Sequence, residues 1–365
     1  MKSKENAAQY GWRHPKDGFP VDQAFILKLC LLIGSIRVHQ MKYFGFLAKV
    51  LLSLALLILV LSRIEVGQVV GLLLSWSTAL GIFVAVCALL IQSILAAWRQ
   101  IEILAVFGYQ IGFMPSLRVW FSGLFVTQVA VTFIAGDFIR SVQLMGEGVP
   151  RRIAGRAIAL DRLIGLAVLL MMVAAVVPYV LSLSEDAHLR LSLIFLAIAS
   201  VAGVVAIMVA GLLPSLISRV PWPLVQHRLI DIAVDLAGVS RFAIAAPRRL
   251  LAIIGLSLVM HLLNVFSIVA IARSLGVGQS ANVAAIAIPV MLLAMLPISF
   301  AGWGVREAAM VTGMGVLHVT SSLALATSVG FGFSMIFASL PGLFGVLHKN
   351  TKIREAMRFS QAAGN

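Results

Sequence analysis

The sequence predicts an all-α polytopic integral membrane protein. About seven or eight helices are expected to span, with re-entrant or broken helices near 119–140 and 297–320. Hydrophobic residues make up 61% of the 365 residues and charged residues only 12%. The mean hydropathy is +1.04. Charge-free runs recur at 66–98, 119–136, 163–184, 191–218, 250–272, 274–305 and 308–348. A soluble chain carries about 25% charge, and one core cannot hide this much apolar surface. The same numbers exclude disorder, collagen and coiled coil.

The chain divides into an N-terminal cytoplasmic or interfacial segment (1–42), a transmembrane domain (43–347) and a cytoplasmic tail (348–365). The polar start, with Lys2, Lys4, Arg13 and Lys16, is not that of a secretion signal. Residues 24–41 read as an amphipathic helix lying on the membrane, or alternatively as a short first span. A span follows at about 43–62, interrupted only by Lys49, which can snorkel to the interface. Segments near 69–91, 157–181, 191–213, 249–272 and 323–347 each supply the roughly 20 apolar residues that a spanning helix needs.

The net charge of +14 would point to nucleic acid in a soluble protein. Here basic loops held on the cytoplasmic side explain it better, and no nucleic-acid partner is expected. Residues 1–49 carry eight Lys/Arg against three acids, and the tail after Leu347 carries four against one. Both termini are therefore expected in the cytoplasm. The 182–190 loop, with Glu185 and Asp186 against Arg190, fits the outside. The segment 214–249 reads as a basic amphipathic helix on the inner surface.

One region resists a simple alternation of spans. Arg140, Arg151, Arg152 and Arg156 belong inside, yet a full span at 119–135 would place them outside. The conflict disappears if 119–135 enters from the cytoplasm and turns back. The alternative is a full span that tolerates a basic outer loop. A second break is expected after Pro297, where Gly302-Trp303-Gly304 cannot continue a regular helix well.

Ionisable residues at such breaks are candidates for binding. Asp137 and Arg140 share a helix face at a spacing of three. Arg156, Asp161 and Arg162 stand at the start of a span, where Asp161 can neutralise the basic cluster. Arg306 and Glu307 follow the glycine turn. There Gly302 and Gly304 would bring backbone N–H groups to an anion, and Glu307 would stabilise a helix start. Each set also has a structural reading, as an interfacial or buried ion pair. Taken together, Arg140, Arg162 and Arg306 are expected to meet the phosphate of a lipid head group, with Asp137, Asp161 and Glu307 steadying them.

Trp98-Arg99 reads as an interface anchor, and His261 with Asn264 as helix-packing groups. Gln92 and Gln128 are lesser candidates. Cys30 and Cys87 form no metal-ligand pattern. There is no Walker A motif, dinucleotide fingerprint, His-Glu-x-x-His pair or Gly-x-Ser-x-Gly elbow. No cofactor, metal or catalytic activity is expected.

The motifs resemble those of a flippase-like membrane family, the transmembrane region of lysylphosphatidylglycerol synthases and its stand-alone relatives. The matching residues are Gly136-Asp137, Arg140, Leu144 and Gly148-Val149-Pro150, then Ala157, Leu160-Asp161-Arg162 and Gly165-Leu166. The second landmark is Leu296-Pro297-Ile298-Ser299, Gly302 and Gly304-Val305-Arg306-Glu307. The resemblance covers about 44–347. Ala135 and Ala301 stand where the family often has glycine.

The resemblance implies translocation of a polar-headed lipid between leaflets of the cytoplasmic (inner) membrane. An aminoacyl-phospholipid and a polyprenyl- or glycan-linked lipid are both open as substrates. Only 18 residues follow Leu347, so synthase activity is not expected. The competing readings are a non-transporting scaffold or partner of envelope-biosynthesis enzymes, and an integral enzyme acting on lipid phosphates. For the enzyme, no nucleophile or metal set is visible.

Overall fold

The structure is a computed structural model that describes residues 66–129, 133–210, 247–295 and 303–348. All of these lie in one compact unit, Leu52–Asn365. The 24–41 and 43–62 segments, residues 214–246 of the expected 214–249 helix, Pro297, Gly302 and the tail from 349 lie outside the described residues; Pro247–Arg249 instead begin the next long helix.

The described residues form helices throughout. They are α1 (Val66–Leu73), α2 (Trp76–Val106), α3 (Phe113–Val129), α4 (Phe133–Gly146), α5 (Arg151–Leu183) and α6 (Ala187–Ala210). After these come α7 (Pro247–Ser274), α8 (Ser280–Met295), α9 (Val305–Gly315), α10 (Ser321–Ser339) and α11 (Pro341–His348). Five stretches among them are long and apolar enough to cross a membrane: Trp76–Val106, Arg151–Leu183, Ala187–Ile207, Pro247–Ser274 and Ser321–Val346. The chain is a multi-pass membrane protein.

Two expected spans are interrupted. The 69–91 segment breaks before Trp76 because the Ser75 hydroxyl serves both sides of the junction. It donates to the Leu72 carbonyl (2.9 Å) and accepts the Thr78 N–H (3.3 Å). The span is thereby displaced to Trp76–Val106. At 323–347, helical hydrogen bonding lapses at Leu340 and resumes from Pro341, a residue suited to a helix start.

The scaffold is the pair α2 and α7, which pack along small residues. Gly81 approaches Ser274 so closely that a Cβ there would stand 2.6 Å from the Ser274 Cβ. Ala85 and Ala88 continue the buried stripe, and the Ser267 hydroxyl donates to the Ala85 carbonyl at 3.4 Å. Small residues let spanning helices approach when no water drives them together. At the rim, α6 leaves Phe195, Ile198 and Val201 exposed, the surface that lipid covers.

The remaining helices form two hairpins. α3 and α4 have 17 and 14 residues and pack on each other. A Cβ on Gly136 would lie 2.5 Å from the Gly123 carbonyl oxygen, so both crossing positions need glycine. The open end of this hairpin sits by the first half of α5, where Leu144 and Val149 pack with Ala154, Ile158 and the α2 residues Ile103 and Leu104. Gly148 (φ +88°) makes the turn into α5, with the Val149 N–H donating to Leu144 at 3.1 Å.

α8 and α9 also pack on each other. Gln279 donates to the Leu317 carbonyl at 3.3 Å, joining the two ends of that hairpin. Its open end lies by the last turns of α5. There the Tyr179 hydroxyl bonds Asn282 at 2.6 Å, and Val177 and Val180 share a core with Val277, Val283 and Leu317. α5 is long and apolar enough to span, and the two hairpins pack at its opposite ends. Within 119–135, the described part of α3 packs back along α4, the arrangement that the re-entrant reading expects.

Candidate functional site

The site begins with two neighbours on α5. Residues one apart on an α-helix point about 100° away from each other, so Asp161 and Arg162 serve different partners. Asp161 faces inward and is 3% exposed. Its carboxylate lies 2.8 Å from Arg99 Nη2 on α2 and accepts Arg140 Nη1 of α4 at 3.2 Å. Arg99 also donates to the Ser257 hydroxyl on α7 at 2.8 Å, and Arg140 donates to Gln100 Oε1 at 2.9 Å. Gln100 in turn donates to Ser116 on α3 at 3.1 Å. One carboxylate thus neutralises two buried guanidiniums and ties together five helices.

Arg140 reaches Asp161 because α3 has glycine in its path: a Cβ on Gly123 would stand 2.6 Å from Arg140 Cδ. The Arg140 guanidinium lies 4.5 Å from the centroid of the Trp120 ring, a cation–π contact.

Arg162 turns the other way and forms a forked pair with Asp137 of α4, through Nε (3.1 Å) and Nη2 (2.8 Å). Asp137 also stands 3.5 Å from Arg140 Nη1. The Arg162 side chain is 47% exposed, and its Nη1 has no hydrogen bond among the described residues. The expected grouping of Asp161 with Arg162 and Arg156 is therefore corrected. Asp161 belongs to Arg99 and Arg140, while Arg162 belongs to Asp137.

On the second hairpin, α9 begins after Gly304, whose φ of +87° excludes most side chains. The Gly304 N–H donates to Glu307 Oε2 at 2.6 Å, so Glu307 stabilises the helix start as its position predicts. The same bond corrects the expectation that this N–H would meet an external anion: the carboxylate already occupies that place. Arg306 donates to Glu307 Oε1 through Nε (3.0 Å) and Nη2 (2.8 Å), and Nε also donates to Ser328 at 3.1 Å. Ser328 donates to Glu307 at 2.9 Å. The guanidinium stacks on Trp303 at 4.9 Å. Among the described residues, only the Met335 sulfur, at 4.0 Å, meets Nη1.

These groups meet at a cavity of about 280 Å³. Arg99, Arg140, Asp161 and Arg162 line one part and Arg306 another. The hairpin tips contribute Thr127 and Gln128 from α3, and Ala294 and Met295 from α8. Asp137 and Glu307 reach the cavity through their arginines. Arg156 is half-buried on α5 and does not line it.

Arg99 was expected as an interface anchor, but it is buried at 5% exposure while Trp98 faces out at 54%. The α2 stripe Ala85, Ala88, Ala96, Arg99 and Ile103 carries the signal: steps of three, four, seven or eight place Arg99 on the packed face. Trp120, Gln100 and Ser328 have no comparable signal in the sequence. His261 Nε2 donates to the Gly165 carbonyl at 2.9 Å, the cross-helix bond its span position predicts, and Asn264, Gln92 and His261 also line the cavity. Among the described residues no group of three His, Cys, Asp or Glu is placed to hold a metal.

No curated protein and no solved structure gives a significant match to the chain. A family model does match, over residues 46–342, a stretch that contains both hairpins, the α2–α7 scaffold and every cavity arginine. The chain belongs to the family described as the lysylphosphatidylglycerol synthase TM region.

Proposed function

We propose that the protein moves a polar-headed lipid between the leaflets of the cytoplasmic membrane, with the head group passing through the arginine cavity and the acyl chains remaining in lipid. The observation that carries this reading is Arg162. A half-exposed guanidinium with one nitrogen unengaged among the described residues, inside a membrane domain, is poised to meet a phosphate. Opposed hairpins around a polar cavity suit alternating access, because broken helices within a membrane are tolerated where they line such a space. In this reading both termini face the cytoplasm, no covalent bond is made or broken, and a membrane enzyme of envelope synthesis supplies the lipid.

A second reading, a non-transporting scaffold, is favoured by one observation: Glu307 is fully buried and bonded to Arg306, Ser328 and Gly304. The test is leaflet exchange of head-labelled phospholipids in vesicles with and without the purified protein. Protein-dependent exchange supports translocation, and its absence across anionic, zwitterionic and cationic heads leaves the scaffold.

A further inference from the structure

The charges that line the cavity bear on which head group it takes. Four arginines line it, Arg99, Arg140, Arg162 and Arg306. Three carboxylates oppose them, Asp137, Asp161 and Glu307. Among the described residues the balance is four minus three, one net positive charge. The carboxylates are also committed. Asp161 is 3% exposed and Glu307 is 0% exposed, and Asp137 holds the Arg162 fork. Among the described residues, an ammonium group entering here finds like charge and no carboxylate without an arginine partner.

Beside the arginines and the ion-paired Asp161, the cavity offers neutral amides, those of Gln92, Gln128 and Asn264. Amides bond hydroxyls without requiring charge. The volume, about 280 Å³, lies at the low end of small-molecule sites, which run from about 300 to 1,000 Å³. It accommodates one phosphate with a small polyol or a single sugar, and a chain of sugars would have to protrude.

We infer that the cavity selects a small anionic head, one phosphodiester bearing a neutral hydroxylated group, and rejects heads that carry ammonium groups. The inference rests on the reading of this cavity as a head-group site. It separates the chain's cargo from an aminoacylated phospholipid such as lysyl-phosphatidylglycerol, whose two ammonium groups outweigh its phosphate.

The test is binding to the full-length protein in detergent, by calorimetric titration with dihexanoyl-phosphatidylglycerol and its lysyl ester. The phosphatidylglycerol is expected to bind about tenfold more tightly, since like charge within several ångströms is penalised in a low-dielectric site. Arg162→Gln, which brings the cavity to zero net charge, is expected to shrink that ratio severalfold. Arg151→Gln, an exposed position outside the cavity, is expected to leave it unchanged and so controls for the chain's overall positive charge. Equal or tighter binding of the lysyl ester overturns the inference, as does no binding of either lipid, or a ratio that ignores Arg162→Gln. Selective binding without leaflet exchange would leave the selectivity standing and remove translocation. Faster exchange of the lysyl ester would do the reverse.

Discussion

Arg162 forms its forked ion pair with Asp137, 25 residues earlier in the chain, and not with Asp161 beside it. This crossing lets α5 present two charges to two different places. The inward carboxylate closes a structural lock with Arg99 and Arg140, and the outward guanidinium remains half open to the cavity. A lock and a ligand group predict different mutational behaviour.

Asp161→Asn leaves two buried guanidiniums without their carboxylate. Breaking a buried pair costs about 3–5 kcal/mol. The variant is expected to lose much of its thermal stability in detergent. Asp137→Asn removes a partly exposed pair, worth less than about 1 kcal/mol, and its melting temperature is expected to stay near wild type. Equal losses in the two variants would contradict the division into lock and ligand group.

Gly304→Ala forces a side chain onto a backbone with φ +87°. A cost of about 1–3 kcal/mol is expected. Gly136→Ala would push its Cβ against the Gly123 carbonyl and Thr127 and is expected to loosen the α3–α4 hairpin. Gly155→Ala is the control: nothing stands within 4 Å of that Cβ, so a neutral or slightly stabilising effect is expected. Melting curves of the three variants rank these expectations. A Gly304→Ala protein as stable as Gly155→Ala would remove the need for glycine at that turn.

Charge predicts the membrane orientation, and labelling checks it. With Cys30 and Cys87 replaced, a cysteine at Glu185 is expected to react with an impermeant thiol reagent from outside. One at Arg151 is expected to react only from the cytoplasmic side. Both positions are exposed and lie near opposite ends of α5. Outside labelling at position 151 would invert the topology.

Much of this architecture is legible in the sequence, for identifiable reasons. The apolar runs give the spans because lipid imposes a length on any helix that crosses it. The arginines around 140–156 point to the first hairpin because basic residues are held on the cytoplasmic side. Pro297 and the Gly-Trp-Gly turn mark the second. Pairing was not legible. Asp161 is adjacent to Arg162 in sequence, yet partners are set by helix faces and by what packs on them, here Arg99 across the bundle. Arg99 itself was hidden by its exposed neighbour Trp98. The span boundary at Ser75 depends on a single hydroxyl within a uniformly apolar run, which hydropathy does not register.

Arg306 separates charge from geometry. Arg306→Lys keeps the positive charge but loses the fork to Glu307 and Ser328 and the flat stack on Trp303. The protein is expected to remain folded while transport falls about tenfold, because a lysine does not reproduce a planar bidentate donor. Replacing Arg306 and Glu307 together by Leu removes both members of a buried pair, a change that folds often tolerate. That variant is expected to fold, with a melting temperature lowered by the loss of the Gly304 and Ser328 partners, and to lose transport.

The most direct test of the account is leaflet exchange of head-labelled phosphatidylglycerol in vesicles carrying wild type, Arg162→Gln or the paired Arg306→Leu/Glu307→Leu protein, each first shown to be folded. The account predicts rapid protein-dependent exchange in wild type and a fall of about tenfold or more in both variants. Exchange at the wild-type rate in both would contradict passage of the head group through the arginine cavity.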